Sequence, residues 1–414
     1  MRHFVIAKNT FYQAFARAIT SLIGFLITVI IARQFGVLGF GDFTKVTSYV
    51  ALFYLIVDFG LNAFYIQHEK PNFKNLFYLR LSISFFIFLL LNTIAFFLPY
   101  NSWLNSGFSE SVKLGIFIFS FSLFSQSMIL SASAVFQKSI NYFSYMIGVV
   151  LGALVNLLVI FILAFLNFSI LYIFIAFVLS SFLSALILVK LTGERILPPS
   201  LDINFAKKIL LKSLPISLML IFNLVYFRAD MFLLSLLAST KDVGIYGLSY
   251  KFFDFLIALP LFLSNAVYPF LIKVKNDEQK FVNLVKDYFF VFLAASFMVI
   301  LPFWFISPFF TLVKPDFASS IIPFRILLLS LPFFYLTSFF QWVLITKEKQ
   351  KYLMYIYLFS TVLNVGLNII FIPSYSYIGA AIITVFSEGL VFIFLTAKIF
   401  SLKKFVKERS ADNG

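Results

Sequence analysis

Apolar residues run along this chain in stretches of about twenty, separated by short polar breaks. About 20 such residues in a helix cross a hydrocarbon core roughly 30 Å thick. The pattern predicts twelve membrane helices: residues 11–31, 46–66, 79–98, 114–135, 144–166, 169–189, 214–237, 247–272, 288–313, 320–345, 353–373 and 379–400. The expected fold class is therefore all-α and polytopic. A polar stretch from Lys190 to Ser213, containing Pro198 and Pro199, parts six helices from six. The expected domains are an N-terminal six-helix lobe (1–189), a cytoplasmic inter-lobe linker (190–213), a C-terminal six-helix lobe (214–400) and a basic cytoplasmic tail (401–414).

Two short echoes suggest that the lobes are repeats. "NLLVIFI" from Asn156 resembles "NIIFI" from Asn368, each in the fifth helix of its half. "FGVLGFGDF" after the first helix echoes "STKDVGIYGL" after the seventh. Both halves start from the same side, so the repeat would be parallel, about an axis along the membrane normal.

Composition agrees with the pattern. The chain is 62% hydrophobic and 12% charged, against about 45–50% and about 25% in ordinary globular domains. The 61 Phe stand where other chains use Leu. A net charge of +15 would suggest nucleic acid in a soluble protein. Here it has a topological meaning, because Lys and Arg gather in cytoplasmic loops. Of the 32 Lys and Arg, 23 fall on the N-terminal side (counting Arg80 and Lys398, at helix ends, with the loops they border), five on the other and four deeper inside helices. That bias places both termini in the cytoplasm. The opposite loops, of which Arg33–Lys45 and Pro99–Lys113 are the longest, are too short for an enzyme domain. With no Cys there is no disulfide and no thiolate. His3 and His68 lie far apart, so no metal site, cofactor or catalytic residue is expected. No cleaved signal peptide is expected either, since a short apolar region with a small-residue cleavage site is lacking.

The chemistry sits in the charges that break the apolar runs. A charge at mid-bilayer costs roughly 2.5–3.5 kcal/mol on insertion scales, so one that stays there usually faces a cavity or a partner. Eight such residues are Arg17, Asp58, Arg228, Asp230, Lys251, Asp254, Arg325 and Glu388. Arg17 belongs to a polar stripe (Asn9, Gln13, Arg17, Ser21, Gly24, Thr28) at helical spacing. It either lines a cavity or snorkels to headgroups. Tyr54, Asp58 and Asn62 make a similar stripe, from which Asp58 could neutralise Arg17. Arg228 and Asp230 are two residues apart, about 200° around a helix, so they do not pair with each other. Asn223 and Asp230 share a face. Lys251 and Asp254 have a spacing that permits an ion pair. Arg325 either anchors at an interface or faces a cavity. Glu388 is either a proton site or a partner for a neighbour. Several buried cations facing one cavity would hold an anion, and the planar Arg fork suits phosphate.

These motifs resemble the polysaccharide/O-antigen flippases (Wzx-type polysaccharide transporters) of the multidrug/oligosaccharidyl-lipid/polysaccharide (MOP) exporter superfamily. The sharpest piece is "YFRADMFLLSLLASTKDVGIYGLSYKFFDFL", with Arg228, Asp230, Gly244, Tyr246 and Lys251 at the matching positions. "ARQFGVLGFGDF", "DFGL" at Asp58–Leu61 and "IPSYSYIGAAIIT" also fit. The resemblance implies two six-helix bundles forming a V around a central cavity. It implies an oligosaccharide on a polyprenyl diphosphate of the undecaprenyl type, moved from the inner to the outer leaflet of a bacterial cytoplasmic membrane. It suggests a cationic cavity for the diphosphate, with Arg17, Arg228, Lys251 and Arg325 as candidates; Asp58, Asp230, Asp254 and Glu388 are left for ion pairing or coupling. Expected partners are that lipid-linked oligosaccharide, membrane lipids and a polysaccharide polymerase complex, with no nucleic acid, and the protein is expected to be a monomer. Three readings compete. A MATE-like drug or metabolite antiporter would want an anionic or aromatic cavity. A lipid II flippase usually has two further helices. A membrane glycosyltransferase or polymerase would need a large outer loop. No Walker A loop is present to couple nucleotide hydrolysis.

Overall fold

The structure, a computed structural model, describes residues 2–67, 72–199 and 202–412. His68 lies outside them, as do the side chains of His3 and Asn223. The chain is helical almost throughout: α1 (Arg2–Asp58), α2 (Leu61–Gln67), α3 (Phe73–Phe97), α4 (Glu110–Ser120), α5 (Ser122–Ser139), α6 (Tyr142–Phe165), α7 (Ile170–Thr192), α8 (Ile203–Leu237), α9 (Thr240–Lys273), α10 (Glu278–Ile306), α11 (Phe310–Val313), α12 (Ile321–Leu328), α13 (Leu331–Thr346) and α14 (Gln350–Asp412). One small hairpin pairs β1 (Tyr100–Asn101) with β2 (Ser106–Gly107).

Among the described residues, eight helices are long and apolar enough to cross a membrane, or nine if the bent α12–α13 pair is one span. Two of the eight are too long for one crossing. The α1 span carries a break at Gly36 (φ 63°) and α14 a break at Ser376 (φ 48°). Counting each of these twice, and adding the 35-residue α8, is consistent with twelve crossings. The break at Gly36 corrects one expectation. Arg33–Lys45 is not a loop: the helix stops for one residue and resumes at Val37. A left-handed φ is cheap for glycine, so the chain turns there without losing more than a residue.

Helix starts follow the sequence. Asn72, Ser109, Asn141 and Asp277 each accept a backbone N–H of the first turn with their side chains, which satisfies donors that the helix leaves open. The helix surfaces are inverted relative to a soluble protein. Phe96, Phe97 and Phe305 are about three-quarters exposed, whereas Ser122, Ser125, Ser127, Ser131 and Ser133 of α5 are buried. Hydrocarbon outside removes any penalty for apolar surface, and small hydroxyl residues let helices approach closely inside. The α6–α7 contact shows this, because an added Cβ at Gly152 would overlap Ser184 Oγ.

Two compact units result. Unit 1 holds the residues up to Leu224 together with Ser239–Gly244, and unit 2 holds Val225–Ala238 together with the residues from Ile245 onwards.

Candidate functional site

In unit 2 the charged residues that the sequence singles out separate into three groups. The first is at the end of α8 and the start of α9. The Arg228 guanidinium donates to Asp254 Oδ2 at 2.9 Å and lies over the Tyr250 ring, 5.5 Å from its centroid. Both partners are partly exposed, at 33% and 23% of their side-chain area. Lys251, one residue after the Tyr250 ring, is exposed. The expected Lys251–Asp254 pair is not formed. Spacing of three on a helix permits such a pair, but Arg228 reaches the carboxylate from the neighbouring helix and stacks on Tyr250 as it does so. Arg228 thus reaches from α8 to the Tyr250–Asp254 turn of α9, the turn that also carries Lys251.

The second group is buried. Asp230 is 3% exposed and accepts from Met231 N–H at 2.7 Å, Tyr246 O–H at 2.7 Å and Thr384 O–H at 3.4 Å. Glu388 is 2% exposed and accepts from Tyr226 O–H at 2.8 Å and from Thr337 O–H. Tyr357 and Gln341 hydrogen-bond to each other beside Tyr226. Arg228 and Asp230 do take different partners, as their 200° separation predicts. Hydrogen bonds to a charged acceptor contribute about 1.5–3 kcal/mol each, so these hydroxyls hold both carboxylates without a cation bonded to either.

The third group is Arg325. Its Nε donates to Ser307 Oγ at 2.9 Å and its Nη2 to the Trp304 carbonyl at 3.3 Å, with the guanidinium 5.2 Å from the Trp304 ring. Those partners belong to the end of α10 and its continuation. None is shared with Arg228, so the structure does not bring Arg325 into the Arg228 group.

In unit 1, Arg17 is exposed and lines a cavity of about 370 Å³ together with Thr20, Gln126, Tyr145, Asn156 and Ser181. It makes no ion pair among the described residues. The expected Arg17–Asp58 neutralisation does not occur, because Asp58 is taken by Arg80. Arg80 Nη2 donates to Asp58 Oδ1 at 3.0 Å and to Asn62 Oδ1 at 2.7 Å, and its side chain is fully buried. The Asp58–Asn62 stripe was readable at four-residue spacing. Its cation stands one residue inside the third predicted helix, where it reads as the end of a basic loop. Lys45 was missed for the same reason. It is 1% exposed and donates to the Gly107 carbonyl and to Thr240 Oγ1, each at 2.7 Å. No group of three His, Cys, Asp or Glu positioned for a metal exists among the described residues.

Residues 6–275 match the polysaccharide biosynthesis protein family. That is well over half of the 414 residues. The chain belongs to the polysaccharide biosynthesis protein family. Residues 215–370 also match the MatE family, and both families fall in the MOP superfamily. Among solved structures, the lipid II flippase MurJ in an inward closed conformation superposes with a TM-score of 0.75 at 17% identity, over 94% of this chain and 87% of that one. A multidrug resistance MATE transporter in an inward-facing conformation gives 0.71 at 17% identity, over 93% and 96%. A MOP transporter from Pyrococcus furiosus gives 0.63 at 14% identity, over 96% of each chain. A search of the curated proteins by sequence found no match. At such identities the likeness establishes the fold. These families and neighbours are transporters and flippases rather than enzymes, and the chain is a multi-pass membrane protein.

Proposed function

We propose that this protein flips a polyprenyl-diphosphate-linked oligosaccharide, an O-antigen or capsule/exopolysaccharide repeat unit, from the inner to the outer leaflet of a bacterial cytoplasmic membrane by alternating access. Family membership supports a role in polysaccharide export, and a flippase of a lipid-linked precursor shares the fold. The observation that carries the reading is half-buried Arg228, bonded to Asp254 across the α8–α9 pair, with exposed Lys251 one turn before Asp254 on α9. Two such cations suit a diphosphate. A drug cation, the preference of the antiporter alternative, would meet repulsion there. Arg17 and Arg325, which stand apart from that group, are further candidates for diphosphate or sugar contact, and Asp58, Asp230, Asp254 and Glu388 serve as ion-pair or coupling groups. Both termini would lie in the cytoplasm. The protein would act as a monomer beside the polymerase that consumes its product.

The driving force follows from charge. Moving one charge through 100 mV is worth roughly 2.3 kcal/mol, so a diphosphate with two negative charges gains about 4.6 kcal/mol on leaving an interior-negative cell. Outward flipping can therefore run downhill without an antiported ion. The test is complementation of a flippase-null strain, reading lipid-linked sugar accumulated on the inner leaflet. Arg228→Ala at normal protein level should fail to complement. Full complementation would remove Arg228 from the cargo site.

A further inference from the structure

Three helices of unit 2 leave a groove between them. α13 packs against α10 and against α14, and Phe340 of α13 is the buried floor of the groove. Phe289 of α10 and Phe392 of α14 lie nearly parallel to that ring, with centroids at 6.2 Å and 5.9 Å and planes tilted by 18° and 11°. Large side chains at a helix contact widen its spacing, and here a cavity of about 250 Å³ remains beside the three rings. Phe290 and Phe400, each more than half exposed, form its rims. The walls are hydrocarbon except for two groups. Thr396 Oγ1 is satisfied, since it donates to the Phe392 carbonyl at 2.7 Å. Lys286 is exposed and makes no ion pair among the described residues. Asp287 and Lys398 stand close by in sequence, but neither lines the cavity.

The place of Lys286 along its helix gives the depth of the groove. It stands two residues before the apolar run 288–313, and Phe400 ends the run 379–400. Both lie where the hydrocarbon core meets the headgroups. An apolar groove open to a bilayer takes up a lipid chain, because an empty one leaves its walls without dispersion partners. The cation decides which lipid. Lysine is a compact point charge, and one lysine at headgroup depth matches the single charge of a phosphodiester. Basic pockets between membrane helices hold anionic headgroups in this way. The diphosphate of the cargo proposed above carries two charges and suits a planar Arg fork better. We propose that the α10–α13–α14 groove is a site for an anionic phospholipid of the membrane, with its phosphate on Lys286 and one acyl chain along the Phe289–Phe340–Phe392 wall. The bound lipid ties the three helices together. The site shares no residue with the Arg228 group and is independent of what the protein transports.

Native mass spectrometry of the full chain in detergent reads the site directly. The protein is titrated with dioleoyl-phosphatidylglycerol or with dioleoyl-phosphatidylcholine, which has the same chains and no net charge, and the same samples are melted. Wild type should retain one phosphatidylglycerol in preference to phosphatidylcholine and should melt later with it. The attraction of one surface lysine to anionic lipid corresponds to about a fivefold loss of affinity in Lys286→Gln. Lys286→Arg should keep the binding. Lys351→Gln, at an exposed lysine near the start of α14, should leave it unchanged. Thr396→Phe fills the groove and should remove the retained lipid; the Lys286 variants decide the proposal whether or not Thr396→Phe folds. Equal retention by wild type and Lys286→Gln, or no preference over phosphatidylcholine, would overturn the headgroup assignment. A folded Thr396→Phe protein that still retains the lipid would overturn the acyl seat. Undecaprenyl phosphate that displaces phosphatidylglycerol at equal concentration would give the groove to the chain of the cargo and overturn the proposal as well.

Discussion

Replacing Arg80 probes how the first unit keeps a charge inside the membrane. Its guanidinium is fully buried, yet only Nη2 has acceptors: Asp58 Oδ1, Asn62 Oδ1 and, at 3.5 Å, the Asp58 carbonyl. Nε and Nη1 are buried without a partner. Breaking a buried pair costs about 3–5 kcal/mol, because the surviving charge stays uncompensated. The two single variants differ in what survives. Asp58→Asn strands a fully buried cation and should cost the whole 3–5 kcal/mol. Arg80→Met strands Asp58, whose side chain is 24% exposed and can draw in water. It also removes the two unsatisfied donors, each of which costs about 1–3 kcal/mol where it stands. Its cost should therefore be smaller, about 1–3 kcal/mol. The double variant leaves no charge to strand and should return to within about 1 kcal/mol of wild type. The assay is denaturant unfolding of the purified variants in one detergent, read as a double-mutant cycle. Equal and additive single costs would refute the argument, since they would mean that neither charge depends on the other.

Three further outcomes follow from particular contacts. Gly152→Ala should destabilise by about 1–3 kcal/mol through overpacking against Ser184, and Ser184→Gly in the same chain should recover most of the loss in thermal melts. Glu388→Ala leaves the Tyr226 and Thr337 hydroxyls without an acceptor and should cost more than Glu388→Gln by about 1–3 kcal/mol; equal unfolding midpoints would mean that these bonds do not hold α8, α13 and α14 together. Asp277, the half-exposed cap of α10, is held below the usual carboxylate range by the Lys280 side chain and by the Lys280 backbone N–H. A depressed carboxylate contributes stability above its unfolded value, near pH 4, and loses it as pH falls through the folded value. Helix-end stability, followed by hydrogen exchange of α10's first turn, should therefore drop in that acid range in wild type and stay level in Asp277→Asn.

The spans were legible because hydrocarbon imposes one length on every helix, and apolar runs near twenty residues record it. The break at Gly36 was not legible. Arg33, Gln34, Asp42 and Lys45 read as a polar loop, yet the helix resumes at once because Lys45 finds Gly107 and Thr240 far along the chain. The same limit governs the site. Arg228 and Asp230 could be set apart from helix geometry alone. Which carboxylate Arg228 takes could not, since Asp254 is local to Lys251 in sequence and local to Arg228 only after α8 and α9 pack. Asp58 misled for a related reason, its true partner Arg80 standing at a helix end where a charge normally needs no explanation.

The central claim is that the protein itself moves a lipid-linked oligosaccharide across a bilayer, with Arg228 in contact with the cargo. The most direct measurement is flipping in proteoliposomes. Purified protein is reconstituted with a polyprenyl-diphosphate-linked oligosaccharide, and the appearance of sugar on the far leaflet is read with an impermeant lectin or glycosidase. The account predicts protein-dependent flipping that slows when an imposed potential is clamped to zero and is lost in Arg228→Ala. No flipping by the wild-type protein, or equal flipping by Arg228→Ala, would contradict it.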